Sequence, residues 1–216
     1  MSEKGLAIQV KGAGLKLDGS TIFEAISFDV PYGSIHGIMG RNGTGKTMLL
    51  RCVEGFIPLT EGSIHVGGKH IRKACDFAPD TAFVIEPSGF LPQHTGFDNL
   101  RFLASISKKI KNHDVEHMIK RLGLDPHDKK TVGKYSKGML QRLNIAQALM
   151  ERPRVLLLDE PMNGLDHEGL GLVKGLLLDF AKNGGAVLLT SHYLEDFANL
   201  CSRVFEMRNG QQVKVP

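Results

Sequence analysis

The segment Gly40-Arg41-Asn42-Gly43-Thr44-Gly45-Lys46-Thr47 constrains this chain more than any other. It fits Gly-x-x-x-x-Gly-Lys-(Ser/Thr) in full, and its setting gives the pattern meaning. A short apolar run, residues 34–39, precedes it, and residues 48–54 follow with the look of a helix. Glycines let successive backbone N–H groups turn inward around phosphate oxygens without Cβ clashes. A helix starting near Lys46 adds its positive N-terminal end. Lys46 then places an ammonium near the β- and γ-phosphates, and Thr47 offers a hydroxyl to Mg²⁺. A glycine-rich turn with a chance Lys-Thr would need neither the strand before nor the helix after. The expected ligands are a nucleoside triphosphate and Mg²⁺.

More than a hundred residues downstream, Val155-Leu156-Leu157-Leu158-Asp159-Glu160 supplies a second element. A continuous apolar run suits a strand covered on both faces. Two carboxylates at its end lie at the carboxyl edge of the sheet, where open α/β folds bind ligands. Asp159 is placed to hold Mg²⁺ with Thr47, and Glu160 to polarise an attacking water. An apolar run ending in Asp-Glu is common alone; following a phosphate loop, it gains specificity.

Around these motifs the chain alternates strand and helix. Residues 7–10 and 26–30 alternate apolar and polar side chains as half-buried strands do, and residues 62–69 read as a strand and turn. From about 95 to 149 the spacing becomes helical, in residues 98–106, 115–122 and 138–150. After that come the apolar runs at 155–158 and 186–190 with a Leu-rich helix between them, then a hairpin around Asn209-Gly210. The organisation is an α/β core interrupted by a helical insertion.

Composition narrows the class further. The longest apolar runs fall far short of the ~20 residues that span a membrane, and Met-Ser-Glu-Lys-Gly at the start lacks the apolar core of an export signal. Lys and Arg number 27 against 23 Asp and Glu, a net charge of +4, and the basic residues are scattered. A nucleic-acid groove would want them clustered, so no nucleic-acid partner is expected. Cys52, Cys75 and Cys201 are an odd number without a Cys-x-x-Cys, which indicates neither a disulfide framework nor a zinc site.

With these motifs in order, the sequence resembles the ATP-binding cassette ATPases, the motor subunits of membrane transporters. Residues 40–47 look like the family's Walker A motif and 155–160 its Walker B. Tyr135-Ser136-Lys137-Gly138-Met139 sits where the family keeps its signature, Asn163-Gly164-Leu165-Asp166 resembles its dimer-contact loop, and Ser191-His192 its switch histidine. Ser136 is also a natural N-cap for a helix from about Lys137. Without the other motifs, an ordinary cap and a structural histidine would be the readings for Ser136 and His192.

The resemblance spans nearly the whole chain and implies one domain over 1–216. Its fold would be α/β: a phosphate-loop NTPase core with a mainly parallel sheet and an N-terminal antiparallel β subdomain, from 1–94 and 150–216. An inserted α-helical subdomain would occupy about 95–149. The resemblance also implies an ATPase working as a head-to-tail dimer, with itself or with a second such subunit. Lys46, Glu160 and His192 would be catalytic; Thr47, Asp159 and Glu86 would hold Mg²⁺. Residues 40–47 would bind ATP, together with Ser136, Gly138 and Asp166 of the motifs that face the other subunit. A separate transmembrane permease would dock beside residues 86–99, where Phe90, Leu91, Pro92 and Phe97 either receive its helix or pack the helical lobe onto the core.

Four departures from the usual pattern stand out. Lys137 and Met139 replace a glycine and the glutamine of the signature, and Glu86 stands where a glutamine is usual. Both features resemble the branch that exports drugs, lantibiotics and peptides. Leu17 falls near the usual adenine-stacking aromatic, which implies weaker stacking, and the chain stops soon after its C-terminal hairpin. The implied function is ATP-driven export from the cytoplasmic face of the membrane. The alternatives are a soluble cassette ATPase or a nucleotide-dependent regulatory module; intact Lys46, Asp159, Glu160 and His192 argue against a module that does not turn over.

Overall fold

The computed structural model describes residues 5–85 and 89–214. Strands β1 (Leu6–Leu17) and β2 (Ser20–Pro31) form a hairpin around Asp18-Gly19, both with positive φ, the conformation two-residue hairpin turns require. After β3 (Ile35–Met39) and α1 (Lys46–Glu54) come β4 (Glu61–Val66) and β5 (Lys69–His70). An antiparallel sheet results, in the order β2-β1-β4-β5. Next follow β6 (Thr81–Val84) and three consecutive helices, α2 (Gly96–Ser107), α3 (Asn112–Arg121) and α4 (Lys137–Met150). The chain then returns through β7 (Val155–Leu158), α5 (His167–Lys182), β8 (Ala186–Ser191), β9 (Arg203–Arg208) and β10 (Gln211–Lys214).

The second sheet runs β10-β9-β3-β8-β7-β6, and every pair in it is parallel except β9 with β10. This is the α/β class with a mainly parallel sheet, an antiparallel companion sheet and an inserted set of helices. All four residues of β7 are buried because both faces are covered. Val155 and Leu157 pack with α1 and the antiparallel sheet, whereas Leu156 and Leu158 pack with the helices that follow. Burying one such leucine contributes roughly 2 kcal/mol.

Two stretches differ from the sequence reading. Residues 81–84 form a strand that the pattern did not announce. Four residues at a sheet edge, three half-buried and Val84 buried, are too few to show a period. Strand β1 is longer than its alternating stretch at 7–10, because Gly12 with φ +56 sits at a register shift between Val10 and Ala13. Such a bulge interrupts the alternation without ending the strand. All three cysteines are free thiols.

Candidate nucleotide site

Adjacent parallel strands β3, β8 and β7 end on the same edge of the sheet. Each delivers one part of the site. β3 leads into the loop at Gly40, whose N–H donates to the carbonyl of Ser191 at the end of β8 (3.2 Å). A Cβ at Gly40 would lie 2.7 Å from both the Met207 carbonyl and the Thr44 hydroxyl, so the backbone passes there only as glycine. Gly45 takes φ +97 and caps α1 without a side-chain acceptor. Among the described residues, the N–H groups of Gly43, Gly45, Lys46 and Thr47 have no hydrogen-bond partner. These are the free donors of a helix start, and Arg41, Asn42 and Gly43 stand exposed beside them.

Lys46 is 6% exposed, and its ammonium donates to the carbonyls of Gly40 (2.6 Å) and Arg41 (3.2 Å). It also lies 3.3 Å from Glu160 Oε1. That approach is an ion pair and not an aligned hydrogen bond; Oε1 is buried with no hydrogen-bond partner among the described residues. The other oxygen of Glu160, Oε2, meets His192 Nδ1 at 2.9 Å. Thr47 donates its hydroxyl to Asp159 Oδ2 (2.6 Å) across 112 residues of sequence. The structure thus brings Lys46, Thr47, Asp159, Glu160 and His192 into one contiguous cluster, a grouping suited to phosphoryl transfer.

The remaining predicted residues lie outside that cluster. Ser136 is the N-cap of α4 and accepts from the N–H of Met139 (3.2 Å). Asp166 is the N-cap of α5 and accepts from the N–H of Gly169 (2.8 Å). Gly138 packs on the Gly164 turn, where an added Cβ would come 2.7 Å from the Gly164 carbonyl. Glu86 lies outside the described residues. Leu17 is an exposed residue closing the β1–β2 hairpin. Phe90 and Phe97 pack against the main hydrophobic core, while Leu91 and Pro92 are exposed.

Two residues escaped sequence reasoning. Thr190 in β8 donates to Asp159 Oδ1 (2.6 Å) and accepts from the N–H of Glu160 (3.0 Å). Gln141 in α4, only 1% exposed, donates to the carbonyl of Glu160 (3.3 Å). Their signal was a polar side chain within an apolar, buried stretch, since such groups are kept only with partners. A cavity of about 610 Å³ between α3, the end of α4 and the end of α5 contains none of these residues. The chemistry gathers at the open strand ends.

Residues 23–163 match the ABC transporter family. An uncharacterized ABC transporter ATP-binding protein of Bacillus subtilis, YybJ, is 41% identical, and the match covers 94% of each chain. The bacitracin transport ATP-binding protein BcrA of Enterococcus faecalis is 32% identical over 90% of this chain and 64% of its own length. The cytochrome c biogenesis ATP-binding export protein CcmA of Vibrio vulnificus is 34% identical over 81% of this chain and 86% of its own. An ATP-binding subunit of an ABC transporter shares the fold with a TM-score of 0.83 at 22% identity, over 95% of this chain and 88% of that one. The chain therefore belongs to the ABC transporter family, as an ATP-binding subunit and an ATPase.

Proposed function

We propose that this chain powers the export of a drug, peptide or lantibiotic-like substrate through a separate permease, by binding and hydrolysing ATP at the cytoplasmic face of the membrane. The observation that carries the ATPase chemistry is the convergence of Lys46, Thr47, Asp159, Glu160 and His192 at the ends of β3, β7 and β8. Lys46 and the free N–H groups of the loop hold the phosphates. Glu160, with one buried oxygen lacking a hydrogen bond and the other on His192, takes a proton from the attacking water. His192 orients that carboxylate and the γ-phosphate. Catalysis is then mostly positioning and charge stabilisation.

Thr47 Oγ1 and Asp159 Oδ2, 2.6 Å apart, are hard oxygen donors of the kind Mg²⁺ prefers. Glu86 would be a third. Bound there, Mg²⁺ would neutralise charge on the β- and γ-phosphates. Ser136 and Gly138 of a second subunit would complete the site, since the positive end of α4 is presented outward by an exposed cap.

Export is supported by the likeness to the cytochrome c biogenesis ATP-binding export protein and by the Tyr135–Met139 signature, and the bacitracin relative is a transport ATP-binding protein. No described helix is long and apolar enough to cross a membrane, which fits a division of labour with a permease. For the docking place, a cleft of about 340 Å³ between β6 and helices α2 and α4 is a better candidate than the Phe90 and Phe97 side chains. It is lined in part by Phe83, Leu103 and the exposed Ile106, and Phe56 and Phe77 stand exposed in an aromatic cluster with Phe83. An amphipathic helix of the permease would suit it.

The test is the solution mass of Glu160→Gln with and without Mg-ATP, by sedimentation. Doubling with ATP supports a two-site dimer of this chain. A monomer with ATP bound assigns the second half-site to another subunit, and a protein that binds no ATP overturns the reading.

A further inference from the structure

Thr190 is fully buried, a hydroxyl at the end of the apolar run Val187-Leu188-Leu189. Its hydroxyl has one proton. The Glu160 N–H is itself a donor, so that proton goes to Asp159 Oδ1 and a lone pair receives the amide. Asp159 is thereby held at both oxygens, Oδ1 by Thr190 and Oδ2 by Thr47. Rotation of the carboxylate is locked, with Oδ2 turned toward the phosphate loop.

The second bond acts on the neighbouring residue. Glu160 has φ +49, a left-handed conformation that disfavours a side-chain-bearing residue by about 1–2 kcal/mol. Its peptide groups are held on both sides: the N–H by Thr190, the carbonyl by Gln141 (3.3 Å) and by the N–H of Asn163 (3.1 Å). That backbone turn aims the side chain at Lys46 and His192. Ordinary core packing at position 190 would need no hydroxyl, and a bystander hydroxyl would need only one partner.

We propose that Thr190 is a positioning residue for both carboxylates, orienting Asp159 toward the metal and Glu160 toward the attacking water. The inference rests on the reading of Asp159 as a metal ligand and Glu160 as the base. Thr190→Val keeps the volume and removes both bonds. Its expected effect is a loss of about 10- to 100-fold in Mn²⁺ affinity, measured by electron paramagnetic resonance with a non-hydrolysable ATP analogue, the range typical for partners that orient metal ligands. The same variant should lower kcat at saturating Mg²⁺ about tenfold or more, the scale on which displaced catalytic groups lose rate.

Thr190→Ser, which retains the hydroxyl, should recover both quantities. Should the valine protein fail to fold, Thr190→Ala is measured the same way. Unchanged Mn²⁺ affinity and kcat in Thr190→Val overturn the proposal, as does a serine variant as impaired as the valine one, which would mark a packing role. Asp159→Asn separates the layers. If that variant keeps full Mn²⁺ affinity, the metal reading falls and the proposal with it. If it loses affinity while Thr190→Val does not, the proposal falls alone.

Discussion

The phosphate-loop cluster and the signature segment are built in opposite ways. In the first, the contacts that join its parts are long-range: Thr47 to Asp159, the Lys46–Glu160 ion pair, His192 to Glu160, Thr190 to Asp159. Lys46 and Thr190 are buried, and the groups hold one another. In the second, the bonds are local caps, Ser136 on Met139 and Asp166 on Gly169, and both capping residues are exposed. Gln141 and the N–H of Asn163 link the two regions, both bonding the Glu160 carbonyl. The contrast separates a cluster of mutually braced side chains from two capped helix starts at the surface; under the proposed function the first is the reaction centre and the second the face shown to a partner subunit. Under that reading, the exposed start of α4, with no acidic residue in its first turn, is what a partner's bound phosphate would meet.

Mutations should sharpen or break that contrast. Glu160→Gln should lower kcat about a thousandfold, within the range for a lost general base, while leaving ATP binding intact. Single-turnover kinetics measure this, and a turnover within tenfold of normal would remove Glu160 from the chemistry. Lys46→Ala should weaken ATP binding about 10- to 100-fold, as expected for lost charge-assisted hydrogen bonds. Calorimetry of the single chain decides this.

A pH titration probes the packing beneath the phosphate loop. Burial, with Arg203 adding, holds His36 in β3 down at about 4. Burial lifts Glu54 in α1 to about 7, against the pull of its hydrogen bond from Thr81. The two act in opposite senses. His36 contributes stability that is present above its ordinary 6.5 and is lost as pH falls toward 4. Glu54 contributes stability that is present below its ordinary 4.5 and is lost as pH rises toward 7. In the wild type the two slopes offset each other. Glu54→Gln should expose the His36 slope, at most about 1.4 kcal/mol per pH unit, as a urea midpoint that climbs between pH 4 and 6.5. Identical profiles for variant and wild type would refute the offset.

The smallest effect belongs to the caps. Ser136→Ala should cost about 1 kcal/mol of stability and leave the single chain's ATP affinity unchanged. It should, however, weaken ATP-driven doubling of mass in the Glu160→Gln background. If Ser136→Ala reduced single-chain ATP affinity as much as Lys46→Ala does, the two regions would not be separate.

Much of this molecule was legible without coordinates. The loop at 40–47, the carboxylates at 159 and 160, helices α1 to α5 and the hairpin at Asn209-Gly210 all follow from local pattern. Local pattern suffices there because glycine φ angles, helix caps and apolar periodicity are properties of neighbouring residues. Strand β6 and the bulged middle of β1 were not legible, because their shape depends on the strands beside them. Nor could the sequence say that Phe90 and Phe97 turn inward while Phe56, Phe77 and Ile106 stay exposed. Only the tertiary structure placed Thr190 and Gln141 on either side of Glu160, since a parallel sheet order of β3, β8, β7 sets which buried hydroxyl meets which carboxylate. Residue types carry the chemistry of the site, and strand order decides the geometry, because hydrogen bonds act over about 3 Å and the chain must fold back across 30 to 112 residues to make them.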